Sequence, residues 1–116
     1  MEYIEDIVEF DEYQDFTDTT DVYPNDKFNI GYKALGLVGE AGEVADKIKK
    51  IYRDKNGNFN VTDEVEIAKE LGDCLWYISR IAAAIGFELS GIAKLNVDKL
   101  SKRKTEGKLH GSGDNR

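Results

Sequence analysis

The protein has 116 residues, of which 41% are hydrophobic, and a net charge of −7 at pH 7; this fits one folded domain without general affinity for nucleic acid or anionic membranes. It contains no run of about 20 apolar residues that could span a bilayer, and its acidic N-terminus lacks the basic region of a signal peptide. The single cysteine, Cys74, excludes an internal disulfide, so we expect a cytoplasmic protein.

A short first helix is predicted after an irregular lead-in over residues 1–9. Asp11 is a candidate N-cap with Gln14 three residues on, and the helix should run to about Thr20. A break around Pro24 follows. Residues 1–26 are acidic throughout and contain no Lys or Arg.

A long second helix is predicted from about Asp26 to Arg53, because its apolar residues recur at intervals of three and four. Each glycine inside a helix costs up to about 1 kcal/mol relative to Ala. The glycines of this segment therefore need a reason, either close helix packing or room for a ligand beside the helix. They are Gly31, Gly36, Gly39 and Gly42.

Two further helices complete the predicted fold. The third should start at Thr62 as N-cap and stop at Gly86. The fourth should begin near Glu88 or Ser90 and extend to about Lys104, followed by an irregular tail over residues 107–116. These elements predict an all-α four-helix bundle formed by a single domain, residues 1–116.

Two acidic couplets are the clearest candidates for a functional site. Glu40 and Glu43 stand three residues apart in the second helix, as do Glu70 and Asp73 in the third, so each couplet occupies one helix face. Both couplets lie about 16 Å from the turn that joins these helices and should come level across an antiparallel pair. The sequence thus predicts four carboxylates around Mg²⁺, with Mn²⁺ as a substitute. Two exposed acidic faces are the alternative, which the apolar flanking residues disfavour.

At these positions the chain resembles the MazG-like, all-α nucleoside triphosphate pyrophosphohydrolases. Their E-x-x-E…E-x-x-D signature is matched by the two couplets, within the segments GLVGEAGEVADKIKK at 36–50 and ELGDCLWYISRIA at 70–82. An N-x-x-K-L-x-x-R pattern follows at 96–103. The resemblance implies Mg²⁺-dependent cleavage of a ribo- or deoxyribonucleoside triphosphate between the α and β phosphorus atoms. The products would be a monophosphate and pyrophosphate, as in nucleotide-pool housecleaning.

The resemblance also implies roles for single residues. The four acids would hold the metal, and a carboxylate beyond the needs of the metal could orient the attacking water, for which Glu43 is the candidate. Trp76 is expected to pack against another helix or subunit. The expected substrate contacts are basic, amide or aromatic side chains on the second, third and fourth helices. They are Lys50, Tyr77, Asn96, Lys99 and Arg103.

Alternative interpretations remain at this point. An acidic helical interaction module or DNA mimic would explain the charge of residues 1–26, and a degenerate relative would bind nucleotide without turnover. Retention of all four acids, with Lys99 and Arg103, argues against the latter. An enzyme of this kind should form a homodimer or homotetramer, because an apolar face such as Leu75, Trp76 and Ile78 needs cover.

Overall fold

The computed structural model describes residues 7–23 and 26–110 and confirms the all-α fold. The second and third helices form the most extensive helix pair, and the first and fourth helices pack against the third and against each other. No helix in the described ranges is long and apolar enough to cross a membrane. The elements are α1 (Phe10–Thr20), a 3₁₀ turn (Lys27–Asn29), α2 (Ile30–Lys55), α3 (Val61–Ala84) and α4 (Leu89–Glu106).

The start of α1 differs from the prediction. Its N-cap is Glu9, which makes no side-chain capping bond. The Asp11 carboxylate instead accepts hydrogen bonds from the Ser90 backbone N–H at 3.0 Å and the Ser90 hydroxyl at 2.7 Å. These bonds, the hydroxyl first, hold the pKa of Asp11 below its usual value. Asp11 therefore satisfies orphan donors in the first turn of α4, not those of its own helix.

Gln14 is not a local cap either, because its buried side chain lies where three helices meet. Its amide donates to the Phe87 carbonyl at 2.9 Å, with a longer contact of 3.4 Å to Ser79 O. Its side-chain oxygen accepts from the Leu89 N–H at 2.9 Å. One amide thus connects α1 to the end of α3 and the start of α4.

The predicted start and end of the second helix are nearly right. The Asp26 side chain accepts from the Asn29 backbone N–H at 3.2 Å, which opens the 3₁₀ turn that leads into α2. The helix ends at Lys55, two residues beyond the prediction, where Asn56 (φ 56°) and Gly57 (φ 78°) adopt the left-handed conformation. Pro24, which was expected to mark the preceding break, lies outside the described residues.

The N-cap of α3 is Asn60, so the prediction of Thr62 is wrong by two residues. Asn60 Oδ1 accepts from the Asp63 N–H at 2.8 Å, and the Asp63 carboxylate accepts from the Asn60 N–H at 3.1 Å. This reciprocal capping box satisfies two donors at once. At the other end the chain turns at Gly86 (φ 83°), as predicted, and α4 begins after Glu88.

The interior of the single chain is more polar than apolar. Among the described residues, Ile51, Ala82 and Leu89 are the buried hydrophobic side chains. The largest fully buried side chains are polar or charged, namely Arg80, Lys33, Thr17 and Ser79. Buried charges are costly unless they are paired, so the partners of these residues matter for both stability and function.

Candidate metal centre

Acidic side chains from α2 and α3 meet at the middle of this helix pair. Glu40, Glu70 and Asp73 each offer a carboxylate oxygen, and these oxygens all lie within 4.8 Å of one another. Two ligands on opposite sides of one Mg²⁺ are about 4.2 Å apart, so small side-chain rotations would place all three oxygens on a single ion. A donor set made only of oxygens suits Mg²⁺ or Mn²⁺. The level register expected from the sequence brings three of the four predicted acids together.

Glu43 lies outside this group. Its side chain is exposed, one turn further along α2 from Glu40. It still acts on the cluster electrostatically, because its negative charge contributes to the raised pKa of Glu40. The structure therefore distinguishes a group of three converging carboxylates from a fourth that stands at its edge.

The cluster carries repulsion that nothing in the described chain fully neutralises. Burial is the main cause of the raised pKa of Glu40, followed by the charges of Asp73, Glu70 and Glu43. Burial also raises the pKa of the neighbouring Cys74 thiol, and Glu40 and Asp73 add to this effect. A divalent cation would relieve the repulsion. A protonated Cys74 fits a packed thiol and not a nucleophile.

Two lysines on α2 follow the first acidic couplet along the chain and make different contacts. Lys47 Nζ lies 3.7 Å from Glu70 Oε1, across the helix pair. Lys50 Nζ forms a 2.7 Å ion pair with Asp46 one turn back on its own helix. Of the two, Lys47 therefore makes the direct contact with the acidic cluster, although Lys50 was the residue expected to reach substrate.

An open cavity of about 360 Å³ adjoins the carboxylates. It is lined by Glu40, Asp73, Trp76 and Tyr77. The Tyr77 ring packs directly over Gly36 of α2, where an added Cβ would lie 2.2 Å from Tyr77 Cε1. Of the two reasons considered for the α2 glycines, close helix packing is therefore the one that explains Gly36.

The other three glycines of α2 are not explained in this way. An added Cβ at Gly31, Gly39 or Gly42 would meet nothing within 4 Å. These positions leave open space along an outward face of the helix. The same holds for Gly72 on α3.

The expected substrate contacts on α4 lie on a helix that packs on α1 and α3. Asn96 is exposed, Lys99 is half-buried and Arg103 is 5% exposed. The carboxylates of the cluster lie on α2 and α3.

A buried ionic network next to the cavity was not anticipated from the sequence. The Lys33 ammonium (1% exposed) pairs with Asp21 Oδ2, and Arg80 Nε donates to the same oxygen at 3.0 Å. Arg80 also donates to Asp18 at 2.9 Å and to the Thr17 hydroxyl at 3.1 Å. The available signal was an arginine inside the apolar run ISRIAAAI, which a solvated helix face would not produce.

Part of the acidic N-terminal segment is bonded to other residues of the same chain. Three of its carboxylates are engaged within the chain: Asp11 with Ser90, Asp18 with Arg80, and Asp21 with both Arg80 and Lys33. These acids hold α1 in place. Fewer of its carboxylates are therefore available to an external basic partner.

The family of the protein follows from comparison with known sequences. A model of the MazG nucleotide pyrophosphohydrolase domain matches residues 32–107. The chain belongs to the MazG family. The Gene 37 protein of Mycobacterium phage L5 is 41% identical over 111 residues, which cover 91% of this chain and 97% of that protein. No solved structure matches the chain.

The MazG match includes the whole acidic cluster. Residues 32–107 contain α2 from its third residue onward, all of α3 and α4, and both couplets. MazG domains are nucleotide pyrophosphohydrolases, and the family is typically dependent on a divalent metal. The converging carboxylates are the group in this chain that fits such a metal. Helix α1 and the acidic members of the ionic network, Asp18 and Asp21, precede the matched residues.

Proposed function

We propose that the protein hydrolyses nucleoside triphosphates or deoxynucleoside triphosphates between the α and β phosphorus atoms, releasing a monophosphate and pyrophosphate. The observation that carries this proposal is the convergence of Glu40, Glu70 and Asp73 beside an open cavity in a MazG domain. Mg²⁺ is the proposed cofactor and Mn²⁺ a substitute, because both take oxygen ligands. Removal of unwanted nucleotides, or adjustment of a deoxynucleotide pool, would use this reaction.

The positions of the four acids suggest a separate role for Glu43. Glu40, Glu70 and Asp73 would hold the ion, which when bound supplies charge neutralisation at the phosphates and a more acidic water. Glu43 stands outside the converging group, so its carboxylate is the one left to orient a water or accept its proton. This assigns the catalytic base to the exposed acid at the edge of the cluster.

The remaining substrate contacts are proposed in two sets. Lys47 would move from Glu70 to a phosphate when an ion occupies the cluster, and Lys50 would serve the outer phosphates after leaving Asp46. Asn96, Lys99 and Arg103 of α4 retain the roles implied by the family resemblance.

A second copy of the chain is the partner that the surface supports best. The radius of gyration is 16.8 Å, against about 13 Å for a compact chain of this size. Leu35 (75% exposed), Val38 (71%) and Leu71 (53%) present apolar side chains on α2 and α3. The open positions beside Gly39 and Gly42 would admit a neighbouring helix closely. We expect a homodimer or homotetramer by light scattering, and Val38→Glu should shift it toward monomer.

Product analysis tests the proposed reaction. The purified protein is incubated with a panel of nucleoside and deoxynucleoside triphosphates in Mg²⁺ or EDTA, and products are separated by ion-exchange chromatography. Monophosphate and pyrophosphate should appear only with Mg²⁺. Glu70→Gln should abolish the reaction, whereas Glu66→Gln, one turn earlier on α3 and paired with Lys69, should retain it. Inorganic phosphate as the product, or no turnover by folded protein, would contradict the proposal.

A further inference from the structure

The aromatic lining of the cavity next to the carboxylates carries an inference about substrate recognition. Trp76 packs against other helices, as expected, through contacts with α1 and α2, and its side chain also lines the same cavity as Glu40 and Asp73. It stands three residues after Asp73, about 4.5 Å along the helix axis, and so on the same face. A nucleotide held by its phosphates at the carboxylates would extend its sugar and base over this part of α3.

Trp76 is fixed on three sides. Its indole N–H donates to the Thr20 hydroxyl at 2.7 Å, at the last residue of α1. Its ring lies 5.2 Å from the Lys33 ammonium, a distance typical of a cation–π contact. The Tyr77 ring meets it edge to face, with centroids 5.0 Å apart and an interplanar angle of 81°. An aromatic ring held in this way loses little conformational entropy when a planar ligand stacks on it.

The residues that pack beneath Trp76 carry buried charges, which cost more free energy than apolar packing would. Lys33 and Asp21 have side-chain exposures of 1% and 2%, and Arg80 is also 2% exposed. Replacing such buried ion pairs with apolar residues is often neutral or stabilising in proteins. A network of this kind is therefore better explained by what it positions than by its contribution to stability. The residue that it contacts at the cavity is Trp76.

We propose that Trp76 stacks on the nucleobase of the substrate, and that Thr20 and Lys33 are positioning residues that hold the indole for this contact. The proposal rests on the proposed function, because the nucleotide is placed by its phosphates at the carboxylates. It adds that affinity for the base comes from stacking on an aromatic ring. Base–aromatic stacking operates on every base, so recognition by Trp76 alone discriminates only weakly among nucleotides.

Trp76 is the only tryptophan in the chain, so its fluorescence reports on this contact directly. Deoxynucleoside triphosphates with a non-hydrolysable α–β linkage are titrated with Mg²⁺, and inorganic tripolyphosphate serves as the ligand that lacks a base. Calorimetry measures binding of both ligands in parallel. Nucleotide analogues should quench the emission on binding, and tripolyphosphate should bind without this quenching. Equal quenching by both ligands, or nucleotide binding without quenching, would overturn the proposal.

Kinetics of substituted enzymes provide the second readout. Trp76→Leu should raise KM for triphosphates by about 5- to 100-fold with a smaller change in kcat, because stacking is lost while the carboxylates remain. Trp76→Phe should recover most of this loss, and Thr20→Val should show a smaller rise in KM. The control is Phe59→Leu, which removes an aromatic side chain at the α2–α3 turn. Melting curves by circular dichroism show whether each variant is folded.

These measurements separate failure of the proposal from failure of the proposed function. Turnover of triphosphates with an unchanged KM in folded Trp76→Leu would overturn stacking and leave the reaction intact. If the leucine variant does not fold, turnover by the wild-type protein together with nucleotide binding that does not quench Trp76 would have the same meaning. Binding with base-dependent quenching but without turnover would support stacking and count against hydrolysis. Absence of both binding and turnover would overturn both proposals.

Discussion

Removal of the negative charge of Asp21 is the perturbation whose consequence the structure defines most sharply. In Asp21→Asn the side chain keeps its size, but Lys33 and Arg80 lose the carboxylate between them. Arg80 retains Asp18 at 2.9 Å and the Thr17 hydroxyl. Lys33 retains only the face of the Trp76 ring among its described contacts. The cost therefore falls mainly on a lysine that is 1% exposed.

The expected magnitude follows from the cost of a buried charge without its partner, which is about 3–5 kcal/mol. We expect the lower end, about 3 kcal/mol, because Arg80 remains paired. The double variant Asp21→Asn/Lys33→Met should recover most of this loss, since the uncompensated charge is then absent. By contrast, Asp98→Asn, which breaks a pair with Lys94 on the exposed face of α4, should cost less than about 1 kcal/mol.

Urea unfolding followed by circular dichroism measures these free energies. All variants are compared at one protein concentration, because association of subunits contributes to apparent stability. The reasoning would be refuted if Asp21→Asn cost no more than Asp98→Asn. It would also be refuted if the double variant were less stable than the single one, because the penalty would then not arise from the unpaired lysine.

Three further predictions concern pH, helix packing and helix capping. Burial alone would raise the pKa of Asp21, but hydrogen bonds from Lys33 and Arg80 outweigh it and lower the pKa. The stability that Asp21 contributes should therefore be complete above about pH 4 and be lost as the pH falls further toward the folded pKa. The difference in free energy of unfolding between wild type and Asp21→Asn should accordingly become smaller when unfolding is measured at decreasing pH. Gly36→Ala should displace the Tyr77 ring, 2.2 Å from the new Cβ, and destabilise by about 1–3 kcal/mol in thermal melts; wild-type stability would contradict this packing. Asn60→Ala should cost about 1 kcal/mol in the same melts and Thr62→Ala much less, and the reverse order would contradict the observed cap.

Much of the fold could be predicted because the decisive signals are local. Apolar spacing gave the long helices, and the left-handed glycines at positions 57, 86 and 107 mark where they end. The two errors in capping have different causes. Asp11 and Thr62 are good N-cap residues by type, but Asp11 bonds to Ser90, which is distant in sequence, and Asn60 forms the better box with Asp63.

The candidate site was predictable only in part. Helix periodicity and the length of the turn determine which residues come level, so three of the four acids could be brought together by counting. The position of Trp76 depends on α1, whose Thr20 fixes the indole, and no periodic pattern relates these two helices. The network of Lys33, Asp21 and Arg80 was missed for the same reason, because its partners come from three different elements.

The metal centre is tested most directly by titration of the protein with Mn²⁺, followed by electron paramagnetic resonance, with Mg²⁺ as competitor. The wild-type protein should bind Mn²⁺ and release it to Mg²⁺. Glu70→Gln should weaken binding at least about tenfold, since it removes a ligand of the converging group. Glu43→Gln should bind nearly as tightly as wild type without nucleotide, because Glu43 stands outside that group. Equal Mn²⁺ affinity in the wild type and Glu70→Gln would contradict a metal site formed by these carboxylates.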